Sequence, residues 1–91
     1  MNKFELGQVV CTANFQDRLG ESWQKTASVV LGRHSSGDWG DLSEEDKQSN
    51  NLAVKGEDRI LSSYNTDSGE KVWVITEWDR SVTTILLPED Y

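Results

Sequence analysis

The stretch KVWVITEWDRSVTTILLP, residues 71–88, decides the fold. It reads as two strands, 71–78 and 81–87, joined tightly through Asp79 and Arg80. β-Branched and aromatic side chains fill both halves, as a pleated, half-buried surface favours. In the first strand Val72, Val74, Thr76 and Trp78 face one way, and Trp73, Ile75 and Glu77 the other. In the second, Thr83, Ile85 and Leu87 oppose Val82, Thr84 and Leu86. Pro88 lacks an N–H donor and closes the ladder. Just upstream, RILSSY (59–64) predicts a third strand, and the Asn-, Asp-, Ser- and Gly-rich segment 65–69 predicts the turn between. Together they make an antiparallel meander.

Working outward, Ser43 is a natural N-cap, with Asp46 three residues later in a variant of the capping box. Glu44 and Glu45 then lie in the first turn, where the helix dipole favours acids, and a short helix is predicted over 44–51. SSGDWGDL, residues 35–42, is a loop. Before it, Trp23, Ala27, Val30, Leu31 and His34 follow a helical face, predicting a helix over roughly 20–33. Thr26, Val29 and Val30 lose rotamer freedom in a helix, so a strand at 26–31 is the alternative. QVVCTA, residues 8–13, predicts a strand whose two fairly apolar faces suit a covered or central place. The order β-α-α-β-β-β predicts an α+β single domain over 1–91. Its small antiparallel sheet, the C-terminal three-stranded meander plus the N-terminal strand, packs against two short helices. The helices take one sheet face. The other is apolar enough to leave a homodimer, a partner surface or a curved sheet closing over its own side chains as alternatives.

The chain has 91 residues, enough for one domain, and a formal charge of -7 from 16 acids and 9 bases. That field repels a phosphate backbone, and no focused basic patch reverses it, so direct nucleic-acid binding is disfavoured. Cys11 is the single cysteine and His34 the single histidine, which leaves neither an internal disulfide nor a standard structural zinc site. No apolar run approaches the ~20 residues needed to cross a bilayer, and the N-terminus lacks a signal-peptide core. The expectation is a cytoplasmic protein without a cofactor.

Function could sit in the segment 33–46. His34 and Asp38, with Ser35 or Ser36 as nucleophile, have the residue types of a base–acid–hydroxyl arrangement. The structural alternative is that His34 closes a helix and Asp38 makes a turn bond. No nucleophile-elbow pattern surrounds either serine. Trp39, flanked by glycines, either folds inward as a lid on the core, the favoured reading, or projects as an interface anchor. Asp38, Asp41, Glu44, Glu45 and Asp46 form an acidic cluster. Its spacing does not match the calcium loop, so it suits a basic protein groove better than a metal, with solvated capping acids as the plain alternative. Cys11, Trp73 and Trp78 read as structural.

The strings HSSGDWG, EDKQSNN and GEDRILSSY, with the ending TTILLPEDY, together resemble a family of small bacterial proteins carried on plasmids, prophages and integrated conjugative elements, often labelled plasmid-related. The resemblance covers roughly residues 8–91. It implies a mobile-element accessory role and transfers no catalytic role to any residue. The leading expectation is a non-enzymatic protein that binds another protein, such as a host defence or DNA-processing factor. The acidic cluster is the part that would contact it. The alternatives are a small hydrolase or ligand-binding domain centred on His34 and Asp38, and a structural homo-oligomer.

Overall fold

The computed structural model describes residues 2–91, and the chain is an α+β fold. The elements run β1 (Gln8–Cys11), α1 (Ala13–Leu19), a 3-10 turn (Gly20–Ser22), α2 (Trp23–Ser35), α3 (Glu44–Lys55), β2 (Ile60–Asn65), β3 (Lys71–Thr76), β4 (Val82–Leu86) and a second 3-10 turn (Pro88–Asp90). The four-stranded sheet has the order β1-β4-β3-β2. The meander β2-β3-β4 is antiparallel throughout, with Val74 opposite both Ser62 and Ile85.

Three details differ from the sequence reading. First, β1 pairs with β4 in parallel, so the sheet is mixed, and β1 is an edge strand rather than a covered one. The chain enters beside the β3–β4 turn, where Gln8 N–H donates to the Ser81 carbonyl at 3.0 Å. Entry there fixes the strand's direction. The approach is so close that a Cβ on Gly7 (φ 65°) would strike the Arg80 and Ser81 carbonyls.

Second, β1 stops at Cys11, because Thr12 turns into a helix cap. Its Oγ1 accepts from Phe15 N–H at 3.1 Å and starts α1, a helix additional to the two expected. Phe15 and Leu19, four apart, are the buried face of that helix. α2 starts at Trp23 and α3 runs on to Lys55, four residues past the expected end.

Third, the β3–β4 connection is wider than two residues. Glu77 to Arg80 forms a turn, with Arg80 N–H on the Glu77 carbonyl at 2.9 Å and Glu77 N–H on Val82 at 3.0 Å. Trp78 therefore leaves the strand and is 58 % exposed. Arg80 sits at φ 60°, a conformation that costs a non-glycine residue free energy. Its guanidinium holds it there by donating to the carbonyls of Ala53 (2.6 Å), Asp58 (2.7 Å) and Gly56 (3.2 Å), at the C-terminal end of α3. A cation there also complements the helix dipole.

One sheet face carries Tyr64, Val72, Val74 and Ile85 against Phe15, Leu19 and Val30, with Leu87 in the same cluster. Emptying such a core position typically costs 3–5 kcal/mol for a phenylalanine. A smaller cluster joins Trp39, Ala53 and Ile60, with Phe4, Leu42 and Val54 beside it. The other sheet face has no helix over it. Even so, Ile75 and Leu86 are only 4 % and 5 % exposed there. On that face the Trp73 ring meets Tyr91 at 5.8 Å, and the Tyr91 hydroxyl accepts from Arg59 at 2.6 Å. Among the described residues no helix is long and apolar enough to cross a membrane.

Candidate functional site

His34 stands near the end of α2 and is fully buried. Its Nδ1 lies 2.5 Å from Ser62 Oγ and its Nε2 lies 2.9 Å from Thr76 Oγ1. Thr76 Oγ1 continues to Thr83 Oγ1 at 2.7 Å, and Thr83 donates to the Leu6 carbonyl at 2.7 Å. The carbonyl end fixes every proton in this chain. Thr83 has one hydroxyl proton and spends it on Leu6, so Thr76 donates to Thr83, and His34 Nε2–H donates to Thr76. Nδ1 is then the acceptor of the Ser62 hydroxyl. His34 is thus the neutral Nε2–H tautomer with both nitrogens satisfied. Phe4 meets its ring edge-on at 5.2 Å and Trp39 at 5.9 Å. Burial among these groups pushes its pKa down to about 4.

The base–acid–hydroxyl arrangement expected from sequence is not assembled. Asp38 receives Arg33 instead, through Nε at 2.7 Å and Nη2 at 3.3 Å. That guanidinium holds the Asp38 carboxyl below its ordinary value. Ser35 is 5 % exposed, and its hydroxyl donates to the Gly32 carbonyl. Ser36 likewise donates to Arg33. The hydroxyls of Ser35 and Ser36 are thus spent on carbonyls of their own helix, and neither they nor Asp38 bonds to His34.

Trp39 folds inward, 4 % exposed, with Nε1–H donating to Asn51 at 2.9 Å. Its place is set by Gly40 (φ 75°), which runs along β2 so closely that a Cβ would strike the Ser63 carbonyl and the Tyr64 ring. The backbone there forms a short bridge. Ser63 N–H donates to Trp39, and Asp41 N–H donates to Ser63 at 2.6 Å. One turn of α3 completes this edge: Asn50 donates to the Leu61 carbonyl at 2.7 Å and accepts from Leu61 N–H.

The acidic cluster divides. Asp41 pairs with Lys71 at 2.9 Å, and that contact lowers its pKa. Glu44, Glu45 and Asp46 are exposed in the first turn of α3, above the Ser43 cap, and make no ion pair among the described residues. No group of three or more His, Cys, Asp or Glu side chains is placed to hold a metal among those residues.

The opposite edge of the sheet is the feature that sequence reading placed wrongly. In β1 the backbone groups of Gln8, Val10 and Thr12 turn toward β4, as the bonds from Gln8 to Ser81 and from Thr12 to Ile85 require. Those of Val9 and Cys11 therefore point outward. Both side-chain faces are open as well, with Val9 42 % and Val10 38 % exposed. No local pattern in the sequence marks β1 as an outer strand, because its place depends on pairing with β4, more than 70 residues away. No protein-family model, curated protein or solved structure matches the chain.

Proposed function

We propose that this chain is a non-enzymatic accessory protein that binds another protein by adding a strand of that partner to β1. The observation that carries the reading is the open edge. Val9 and Cys11 offer outward N–H and C=O groups, and Val9 and Val10 offer apolar contact on both faces. Strand addition draws affinity from the main chain and specificity from alternate side chains. The charge of -7 favours a partner that is basic around its strand, and exposed Glu44, Glu45 and Asp46 add to the field that steers it. The resemblance to plasmid, prophage and conjugative-element proteins makes a cytoplasmic defence or DNA-processing factor the partner of choice. The closed bonding of His34 and the capture of Asp38 by Arg33 favour binding over hydrolysis.

The test is quantitative capture from bacterial lysates with three baits. These are the native chain, Val9→Pro, and a variant with Glu44, Glu45 and Asp46 changed to lysine. Proline at position 9 removes an outward donor and leaves the β1–β4 bonds in place. The expected result is one near-stoichiometric protein on the native bait, lost with Val9→Pro. With the lysine variant, its retention between about 0.15 M and 0.5 M salt should change. A partner kept by Val9→Pro would reject the edge as the contact. No enriched protein in any matched host would reject protein binding.

A further inference from the structure

A cleft of about 330 Å³ lies between α2 and the β2–β3 turn, and neither His34 nor its partners Ser62 and Thr76 line it. Lys25, Val29 and Arg33 line it as one stripe of the helix, each four residues after the last, so the two cations are about 12 Å apart along the axis. Val30 and Tyr64, both buried, lie beneath, and Thr66 faces them from the turn.

The lining is less acidic than the molecule as a whole, with Asp38, just outside it, paired to Arg33. In a chain with 16 acids and 9 bases, this lining holds two cations and a single carboxylate, Asp67. Arg33 is preset. Asp38 grips Nε and Nη2, the guanidinium lies 4.7 Å over the Tyr64 ring, and the Tyr64 hydroxyl donates to the Asp38 carbonyl at 2.8 Å. Nη1 is left without a protein acceptor among the described residues. Lys25 makes no ion pair there either.

We propose that this cleft binds a small organic anion, an apolar body carrying a carboxylate or phosphate. The body lies on Val29, Val30 and Tyr64, and the charged group meets Arg33 Nη1 or the Lys25 ammonium. The volume falls at the lower end of those that hold small ligands, and an apolar floor with a few placed polar groups is the usual build of such sites. The fixed guanidinium loses little freedom on binding, which favours affinity.

The probes are 1-naphthoate, 1-naphthyl phosphate and the neutral 1-naphthalenemethanol, titrated into ¹⁵N-labelled protein. Both anions should saturably shift the amides of Lys25, Val29 and residues 66–68, with the tighter anion naming the headgroup. The neutral compound should bind about tenfold more weakly or worse. Lys25→Glu should weaken the anions by a similar factor, and Val29→Trp, which fills the cleft, should abolish the shifts. Both positions are solvent-facing on α2, so circular dichroism should show both variants folded. Equal affinity for the neutral compound, shifts centred elsewhere, or an unaltered Lys25→Glu titration would overturn the proposal.

Discussion

The two edges of the sheet solve the same problem in opposite ways. Every strand edge presents a row of backbone donors and acceptors, and an exposed row invites pairing with another chain. On β2 that row is closed twice over. The Trp39–Asp41 backbone pairs with Ser63, and the Asn50 amide takes both groups of Leu61. On β1 nothing among the described residues takes the outward groups of Val9 and Cys11, and no charged side chain within the strand guards them. One edge is thus sealed and the other open and apolar, and the strand addition proposed for β1 rests on that difference.

The sharpest way to break this contrast is Gly40→Ala. The new Cβ meets the Ser63 carbonyl and Tyr64 at a positive φ, so stability should fall by more than about 3 kcal/mol in urea titration. A loss below about 1 kcal/mol would mean that the 39–41 segment does not hold the β2 edge.

The next effect comes from His34, whose partner Ser62 belongs to the sealed side. Its folded pKa, about 4, lies below the unfolded value of 6.5. Between these limits the unfolded chain binds more protons, so stability is complete above pH 6.5 and declines as the pH falls toward 4. The decline totals about 3 kcal/mol, of which about 2 is gone by pH 5. Asp38, Asp41, Asp79 and Asp90 all have lowered values and add their own losses only further into acid. Urea midpoints at pH 7 and 5 should therefore differ, and in His34→Gln that difference should largely vanish.

Asn50→Ala should cost about 2 kcal/mol at pH 7, because it strips a bond from each backbone group of Leu61. The smallest effect is expected on the open side. Val10→Lys replaces a half-exposed side chain and should change stability by no more than about 0.5 kcal/mol while abolishing partner capture. A large loss of stability there would show that β1 is part of the core's support, and the contrast between the edges would fail.

The meander was legible because residues 71–87 form two β-branched and aromatic runs around a short polar turn, a local pattern that specifies a hairpin. Ser43 was legible as a cap for α3 for an equally local reason. What stayed hidden depends on partners distant in sequence. Arg80 reads as a turn residue at any hairpin, yet it closes α3 by reaching the carbonyls of Ala53 and Gly56. Val9 and Val10 read as a covered strand because apolar faces usually mean cover. Nothing local announces that β1 pairs with the last strand and stays on the outside. The candidate site was less legible still. His34 and Asp38 are close in sequence, but helix geometry sends the imidazole inward to Ser62 and Thr76 while Arg33 takes the carboxylate. The cationic stripe Lys25–Val29–Arg33 was present in the predicted helix, but without the β2–β3 turn opposite it there was no cleft to notice.

The parallel pairing of β1 with β4 also bears on how the molecule is made. Leu6 and Thr83, bonded to each other, are 77 residues apart in the chain. Contacts of that separation come late and slowly in folding, since so long a loop must close before they form. During synthesis β1 emerges first and waits, its valines uncovered, while α1, α2, α3 and the first two strands of the meander are still being added. For that interval the nascent chain exposes a sticky segment on both sides. Pairing with β4 then covers one edge of it and leaves the other, with both valines, as open as before.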